Sequence, residues 1–267
     1  MRPLQHTTML RKLGWLILGL PLAAAIFAPW LFPGDPREPS AAPFMNPTAS
    51  HLFGTDDLGR DLLAALAHGG RASLLSGALI TLGVGMFAMG FGILSAMASA
   101  RIDRLIVRLM DLSQVVPRFF LALLTTAWLG PGWVQLALVL ALTGWATLAR
   151  QIRAEARSLR RAPFVLAALA LGCSRTSVAR RHLLPNLLPL VFASALLIEA
   201  GLCFLGAGDP NRLSWGLLIQ GGQAHALRAW WLTLFPGFTL ALTCVGLTLV
   251  ALGGNDVRDD FALRATD

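Results

Sequence analysis

Long uncharged, mainly apolar stretches alternate with short clusters of charged residues along the chain. The four longest contain 22 residues between Lys12 and Asp35, 29 between Arg71 and Arg101, 31 between Arg118 and Arg150, and 27 between Arg228 and Asp256. A helix needs about 20 apolar residues to cross the hydrocarbon core of a bilayer. Each stretch is therefore long enough to span a membrane.

Proline and glycine divide the third stretch in two. The segment LGPGW at residues 129–133 ends one helix and starts another. One span thus covers about 105–129 and carries Asp111 and Arg118, and a later span carries Glu199. The pattern predicts six transmembrane helices, near residues 13–32, 72–98, 105–129, 133–149, 186–206 and 229–252.

The composition supports this prediction. Hydrophobic residues make up 55% of the chain and charged residues 13%, whereas a soluble domain has about 45–50% and 25%. The net charge of +8 would favour a nucleic-acid partner in a soluble chain. Here it indicates arginines that face one side of a membrane. We therefore expect an all-α polytopic membrane protein that contacts lipid and binds no nucleic acid.

The basic residues are distributed unequally between the two sides that six spans define. The side that holds both termini carries 16 of the 22 basic residues, namely Arg2, Arg11, Lys12, Arg101, Arg104, Arg108, Arg150, Arg153, Arg157, Arg160, Arg161, Arg175, Arg180, Arg181, Arg258 and Arg264. The opposite side carries Arg37, Arg60, Arg71, Arg212 and Arg228. By the positive-inside rule, we expect both termini and the loop 150–185 in the cytoplasm.

The loop 150–185 is far longer than an ordinary helix connection of about 2 to 8 residues. Its first part carries basic residues at helical intervals on one face: Arg150, Arg153, Arg157 and Arg160. Such a stripe is typical of a helix that leaves the membrane or lies on anionic lipid. The 13 uncharged residues 162–174 are too few to cross the bilayer. A short apolar helix on the cytoplasmic face needs a cover, which we expect to be another protein.

Four motifs resemble those of one transporter family. The spacing of Ala167, Ala168, Gly172, Leu184 and Pro185 resembles the EAA loop with which ATP-binding-cassette importer permeases dock into their ATPase. The other three are HLFGTDDLGRDLLAALAHGGRASL (51–74), EAGLCFLGAGDPNRLSWG (199–216) and WWLTLFPG (230–237). They are similar to signatures of the C-type permease subunit of dipeptide, oligopeptide and nickel importers, and together the motifs extend over nearly the whole chain.

The resemblance implies a type I importer permease fold, like that of methionine permeases, with a cytoplasmic coupling helix. It divides the chain into a first helix with a proline-rich periplasmic segment (1–71), a transmembrane domain of five helices (72–256) and a cytoplasmic tail (257–267). The implied function is a multi-pass permease subunit of the bacterial inner membrane. The solute would be a di- or oligopeptide, or nickel as a metal chelate, and the sequence does not choose between them.

The resemblance also implies the partners. These are a second, B-type permease that forms a heterodimer with this chain, two ATP-binding subunits, and a periplasmic or lipid-anchored solute-binding protein. ATP and Mg would bind to the ATPase subunits, because a Walker A loop needs a lysine and the only lysine, Lys12, lies outside any glycine-rich setting. We therefore expect a chain that is not an enzyme and binds no cofactor itself.

By the same resemblance, the ATPase-docking residues would be Phe164, Ala167, Ala168, Gly172 and Arg175. Two positions depart from the family pattern, since Leu166 replaces its glutamate and Leu169 its usual arginine. The docking helix would then depend more on shape and apolar burial, or on the nearby arginines. The segment GGNDVRD (253–259) is also a looser form of the C-terminal motif of the family.

Arg118 and Glu199 are charged residues at apparent membrane depth, where an unpaired charge is costly and a function is the first hypothesis. Arg118 would contact a carboxylate of a passing peptide or metal chelate in the translocation path. The alternative, which we favour, is an internal pair of Arg118 with Glu199 or Asp111.

Five residues of the two outer segments are candidates for docking of the binding protein or for the outer gate: Asp56, Arg60, Asp61, Asp209 and Trp215. The alternative for Asp56, Arg60 and Asp61 is local capping and pairing. His51, His68 and His225 lie near the same face without metal-site spacing, and we expect them on the surface. Cys173, Cys203 and Cys244 have no CxxC spacing, so no metal site or disulfide is predicted.

An ion-coupled secondary transporter is the alternative function. It would also have six helices with buried charges, but it should contain an internal repeat with paired broken helices. The halves 1–132 and 133–267 contain no such repeat. A membrane enzyme is disfavoured because the spans contain no HExxH or GxSxG motif.

Overall fold

The apolar runs fold into helices that pack side by side. In the computed structural model, residues 3–159 and 184–253 are described. They form α1 (Pro3–Leu31), α2 (Leu62–Met97), α3 (Ala100–Val115), α4 (Arg118–Leu129), α5 (Trp133–Leu159), α6 (Leu184–Leu202), α7 (Trp215–Gln223) and α8 (Trp231–Leu252). A widened helical turn, Cys203–Ala207, continues α6. The prediction of an all-α fold is confirmed.

Five helices are long and apolar enough to cross a membrane. They contain the segments Met9–Leu31, Leu62–Met97, Trp133–Ala154, Leu188–Ala207 and Trp231–Leu252. The pair α3 and α4 makes a sixth span if it is counted as one, with a bend of 64° between the two helices. The described residues therefore agree with the predicted six spans.

The bend corrects the prediction of one continuous helix over 105–129. Val116 has extended backbone angles, with φ −85° and ψ 124°. A residue that precedes proline is disfavoured in the helical region, and Pro117 has no N–H to donate to the preceding turn. The helix therefore ends at Val115 and a new one begins at Arg118.

Other boundaries also differ from the predicted ones. The helix α2 begins ten residues before the predicted start at 72, because the Asp61 side chain caps it by accepting the Ala64 N–H at 2.9 Å. The helix α5 continues to Leu159 instead of ending near residue 149. An unpredicted helix, α7, begins after Ser214. The domain boundary placed at residue 71 lies inside α2, and the tail 257–267 lies outside the described residues.

Small residues let α2 and α5 approach closely. A Cβ added at Gly92 would lie 2.9 Å from the Ala149 carbonyl oxygen, and one added at Gly83 would lie 2.7 Å from the Ala141 Cβ. On α5, a Cβ added at Gly144 would meet a Val84 methyl group at 2.8 Å. Since lipid tails are as apolar as leucine, close van der Waals contact of this kind is what holds membrane helices together.

We call the end of the bundle where α1 begins the proximal end, and the opposite end the distal end. Three connections meet at the distal end, namely residues 32–61, 130–132 and 208–230. Contacts between residues distant in sequence join them. Arg37 donates a hydrogen bond to the Asn211 carbonyl, the Arg212 guanidinium stacks on the Trp133 ring at 4.1 Å, and the Trp231 indole donates to the Thr55 carbonyl at 3.2 Å.

Gly92→Ala is expected to lower the free energy of unfolding by about 1–3 kcal/mol, because a backbone oxygen leaves no space for the methyl group. Gly90→Ala in the same helix is the control, since nothing lies within 4 Å of its added Cβ. There, helix propensity alone favours alanine by about 1 kcal/mol. Thermal unfolding of the purified full-length protein in detergent measures both. Stabilisation by both substitutions would contradict the close α2–α5 contact.

Candidate functional sites

A carboxylate of α3 binds the arginine stripe of α5 at the proximal end. Asp103 accepts hydrogen bonds from Arg153, with Nε at 2.8 Å and Nη2 at 3.0 Å, and from Arg157 Nη2 at 2.7 Å. The Ser95 hydroxyl of α2 donates to the same carboxylate at 2.6 Å. The described part of the predicted stripe therefore forms one helical face. This face joins α2, α3 and α5, a role that the sequence did not indicate.

Arg118 begins α4, and its contacts differ from the internal pair that we favoured. Among the described residues its guanidinium makes one hydrogen bond, from Nη2 to Thr147 Oγ1 at 3.0 Å. Neither expected partner is bound to it, since Asp111 pairs with Arg150 and Glu199 accepts hydrogen bonds from other residues. The prediction of an internal Arg118 pair is therefore wrong within the described part of the chain.

Arg118 lines a cavity of about 300 Å³ between α2, α4, α5 and α6. The walls are mainly apolar, and the other polar side chains are those of Thr147, Gln151 and Ser194. We call it the Arg118 cavity. A guanidinium at a mostly apolar cavity is suited to bind a carboxylate, because its planar donors match the two carboxylate oxygens.

Glu199 lies on α6 and is only 5% exposed. Its Oε1 accepts hydrogen bonds from Ser76 Oγ at 3.4 Å and from Cys203 Sγ at 3.5 Å. It lines a second, smaller cavity together with Arg212, which we call the Glu199 cavity. The two residues predicted for the translocation path thus lie in different cavities.

The motif FGTDDLGRD folds into a turn that its own residues stabilise. Gly54 and Gly59 have φ of 74° and 77°, in the left-handed region that favours glycine. Thr55 is fully buried, and its hydroxyl donates to the Ala42 carbonyl at 2.7 Å and accepts the Met45 N–H at 2.8 Å. The motif that carried the resemblance is therefore a structural unit of the distal end.

Three of the predicted docking residues also make local bonds. Asp56 accepts the N–H groups of two following residues at 2.8 and 2.9 Å, although burial raises its pKa. Arg60 Nε donates to the Arg37 carbonyl at 2.6 Å, and Asp61 both caps α2 and contacts His51 at 2.8 Å. The alternative of local capping and pairing is confirmed for these contacts, and a role in docking stays a prediction.

The other two candidates for docking or gating differ in exposure. Trp215 is 1% exposed, and its indole Nε1 donates to the Leu66 carbonyl at 3.0 Å. It is therefore not presented to a docking partner in this conformation, and a role in the outer gate stays a prediction. Asp209 is partly exposed and accepts the Asn211 N–H at 2.9 Å.

His51, His68 and His225 are partly buried, which corrects their expected place on the surface. His51 contacts Asp61, and His68 Nε2 contacts the Phe32 carbonyl at 3.1 Å. Within residues 3–159 and 184–253, no group of three His, Cys, Asp or Glu side chains could hold a metal ion. Cys203 and Cys244 are buried and free, and Cys173 lies outside the described residues.

The predicted ATPase-docking residues lie outside the described residues: Phe164, Ala167, Ala168, Gly172 and Arg175. The helices that flank this loop are described, since α5 ends at Leu159 and α6 begins at Leu184.

Sequence reasoning missed a basic concavity of about 660 Å³ at the distal end. Arg37, Arg71 and Arg212 line it, together with His68 and Asp35. We call it the distal concavity. The three arginines come from three separate segments, so no local pattern could have grouped them.

The six spans, the charged cavities and the structured distal motif are those of a polytopic permease. Residues 88–252 match the family described as binding-protein-dependent transport system inner membrane component, and the chain belongs to this family. It is accordingly a membrane permease subunit of an ATP-binding-cassette importer of the bacterial inner membrane and not an enzyme, and nothing favours a secondary transporter. Members of this family work with other permease, ATPase and binding-protein subunits.

Three named relatives are similar over most of their length. The probable D,D-dipeptide transport system permease protein of Escherichia coli is 33% identical, over 93% of this chain and 90% of the relative. The di/tripeptide transport system permease protein of Pseudomonas aeruginosa is 34% identical, over 92% and 86%. The oligopeptide transport system permease protein of Haemophilus influenzae is 34% identical, over 91% and 82%. The resemblance to peptide permeases is therefore confirmed.

Asp103→Asn is expected to lower the free energy of unfolding by about 1–3 kcal/mol, because charge-assisted hydrogen bonds from two arginines lose their anion. Asp111→Asn is the matched control: its side chain is 61% exposed and, among the described residues, pairs with Arg150 alone, so loss of its charge should cost at most about 1 kcal/mol. Thermal unfolding of the detergent-purified complex compares them. Equal shifts for both variants would show that Asp103 is no more than a surface charge.

Proposed function

We propose that this permease subunit imports peptides. The support is that three relatives, each similar over more than nine-tenths of this chain, are named for peptide transport. Nickel or a metal chelate is the second solute class that the sequence motifs allow. None of these three relatives is named for it.

In the proposed complex this chain forms a heterodimer with a B-type permease. Two ATP-binding subunits hold ATP and Mg, and a periplasmic or lipid-anchored binding protein delivers the solute. The excess of arginines on the side of both termini supports a cytoplasmic proximal end and an outer distal end. The motif turn around Asp56 and Asp61, and the turn at Asp209, would then face the binding protein or form part of the outer gate.

The loop between α5 and α6 is the proposed contact with the ATPase, through Phe164, Ala167, Ala168, Gly172 and Arg175. Because this loop follows Leu159 directly in the chain, a movement of the ATPase would act on the proximal end of α5. The bonds of Arg153 and Arg157 to Asp103 would pass that movement to α3. Importers of this kind alternate between two arrangements of one helix bundle, and ATP changes their relative stability.

The single observation that supports a translocation path through this chain is the Arg118 cavity. The guanidinium lines a cavity that is large and mostly apolar, and Thr147 is the one described residue to which it is hydrogen-bonded. Its other donors have no hydrogen-bond partner within residues 3–159 and 184–253. A peptide in transit ends in a carboxylate, and that group would bind Arg118 while apolar side chains of the peptide contact the cavity walls.

Arg118→Gln is expected to reduce peptide uptake about tenfold, because a charge-assisted hydrogen bond contributes about 1.5–3 kcal/mol. Thr147→Val is the control, since it removes the neighbouring hydroxyl and keeps the cation. The measurement is uptake of a labelled dipeptide and of nickel by proteoliposomes that contain the whole complex, with the rate of ATP hydrolysis recorded alongside. Peptide uptake that is undiminished in Arg118→Gln at full expression would remove Arg118 from the path. Uptake of nickel without peptide would overturn the proposed solute.

A cysteine at position 168 is expected to form a cross-link with an ATPase subunit that carries a cysteine in its docking groove. The same substitution at Leu31, at the distal end of α1, should form none. Denaturing electrophoresis of oxidised native membranes detects the cross-linked species. Equal cross-linking from both positions, or none from position 168, would contradict the proposed docking loop.

A further inference from the structure

Two buried atoms of opposite charge belong to the Glu199 cavity. Oε2 of Glu199 and Nη1 of Arg212 are both inaccessible to solvent, and neither has a hydrogen-bond partner among the described residues. Both residues line this cavity, together with Asp209, Ser76 and Ser214. A charge buried at this depth without a partner is costly, so each of these atoms needs a polar partner.

The size of the cavity selects that group. Its volume is about 10 Å³, which is close to the minimum that one water molecule requires. A buried water also needs two to four polar partners. Here the carboxylate can accept from the water and the guanidinium can donate to it, while the hydroxyl groups of Ser76 and Ser214 are further candidate partners.

We propose that Glu199 and Arg212 form a charge pair bridged by one buried water, and that this pair closes the distal end of the bundle. Oε1 of Glu199 already accepts hydrogen bonds within the membrane helices, from Ser76 of α2 and Cys203. Oε2 is the oxygen that remains for the bridge. Asp209 is the other acid that lines the cavity, and its Oδ1 accepts the Asn211 N–H.

Arg212 is placed to connect separate elements. It lies in the connection between α6 and α7, and its guanidinium stacks on Trp133, the first residue of α5, at 4.1 Å. It also lines the distal concavity, so one side of this residue is accessible from the bundle surface. The bridged pair therefore joins α2, α5, α6 and the distal connection at one point.

The gating role rests on the proposed function, because an importer must open its outer end to receive solute. Elements joined through Arg212 cannot separate while the pair is intact. The pair therefore stabilises the closed arrangement, and it breaks when the distal end opens. The existence of the pair does not depend on the solute, so it can be tested without transport.

A double-mutant cycle on thermal unfolding of the purified complex tests the pair. Arg212→Gln is expected to lower Tm by roughly 5 °C, because it leaves a buried carboxylate without its cation. The double variant Glu199→Gln/Arg212→Gln should recover most of that loss. If the changes in Tm of the two single variants simply add in the double variant, the pair is refuted. It is also refuted if Asp209→Asn, in place of Glu199→Gln, recovers the Tm lost in Arg212→Gln. If Arg212→Gln does not fold, recovery of folding in the double variant gives the same answer.

Cys203 is a native reporter for the closed arrangement, since it is buried and lines the Glu199 cavity. Labelling by a membrane-impermeant maleimide added from outside should be about fivefold faster or more in Arg212→Gln, with a Cys203→Ser background subtracted. Arg71→Gln is the matched control, because Arg71 lines the distal concavity and not the Glu199 cavity. An unchanged rate in Arg212→Gln, or equal acceleration in both variants, would refute closure by this pair, whatever solute the importer carries.

Discussion

The close contact between α2 and α5 is the interaction on which the other features depend. Gly83, Gly92 and Gly144 remove side chains where the two backbones meet, and the gain is van der Waals contact that lipid cannot replace. Both ends of this helix pair then carry polar junctions. Ser95 of α2 meets Asp103 at the proximal end, and Ser76 of α2 meets Glu199 towards the distal end. A wider separation of α2 and α5 would draw Ser95 away from the Asp103 carboxylate that Arg153 of α5 binds.

The ionisable residues show how the membrane restricts where charge can lie. Asp103 accepts hydrogen bonds from two arginines and a serine, whereas only Oε1 of Glu199 accepts hydrogen bonds among the described residues, from a serine and a thiol. Arg118 differs, because its guanidinium lines a cavity and makes one hydrogen bond among the described residues. The proposed role of this cation is to bind the terminal carboxylate of a peptide in transit.

The distal motif explains why a sequence signature can identify a family without identifying its solute. Gly54 and Gly59 permit left-handed turns, the Thr55 hydroxyl bonds the Ala42 carbonyl and the Met45 N–H, and Asp61 caps α2. Each of these residues is required by local geometry. Such positions define a shared scaffold, whereas the Arg118 cavity is lined by side chains from several helices and has no local sequence signature.

Local properties of the sequence determined the number of spans, the bias of arginines to one side and the family. Each of them follows from apolar length, composition or motif spacing, which are properties of single segments of the chain. The bend before Arg118 was also readable from Val116–Pro117, although the sequence analysis predicted one continuous span across it. Only the tertiary structure decided that Arg118 contacts Thr147, that Glu199 and Arg212 share a cavity, and that three arginines meet at the distal concavity. The residues in each of these groups are far apart in the chain. Helix packing, rather than any local conformational preference, brings them close together in space.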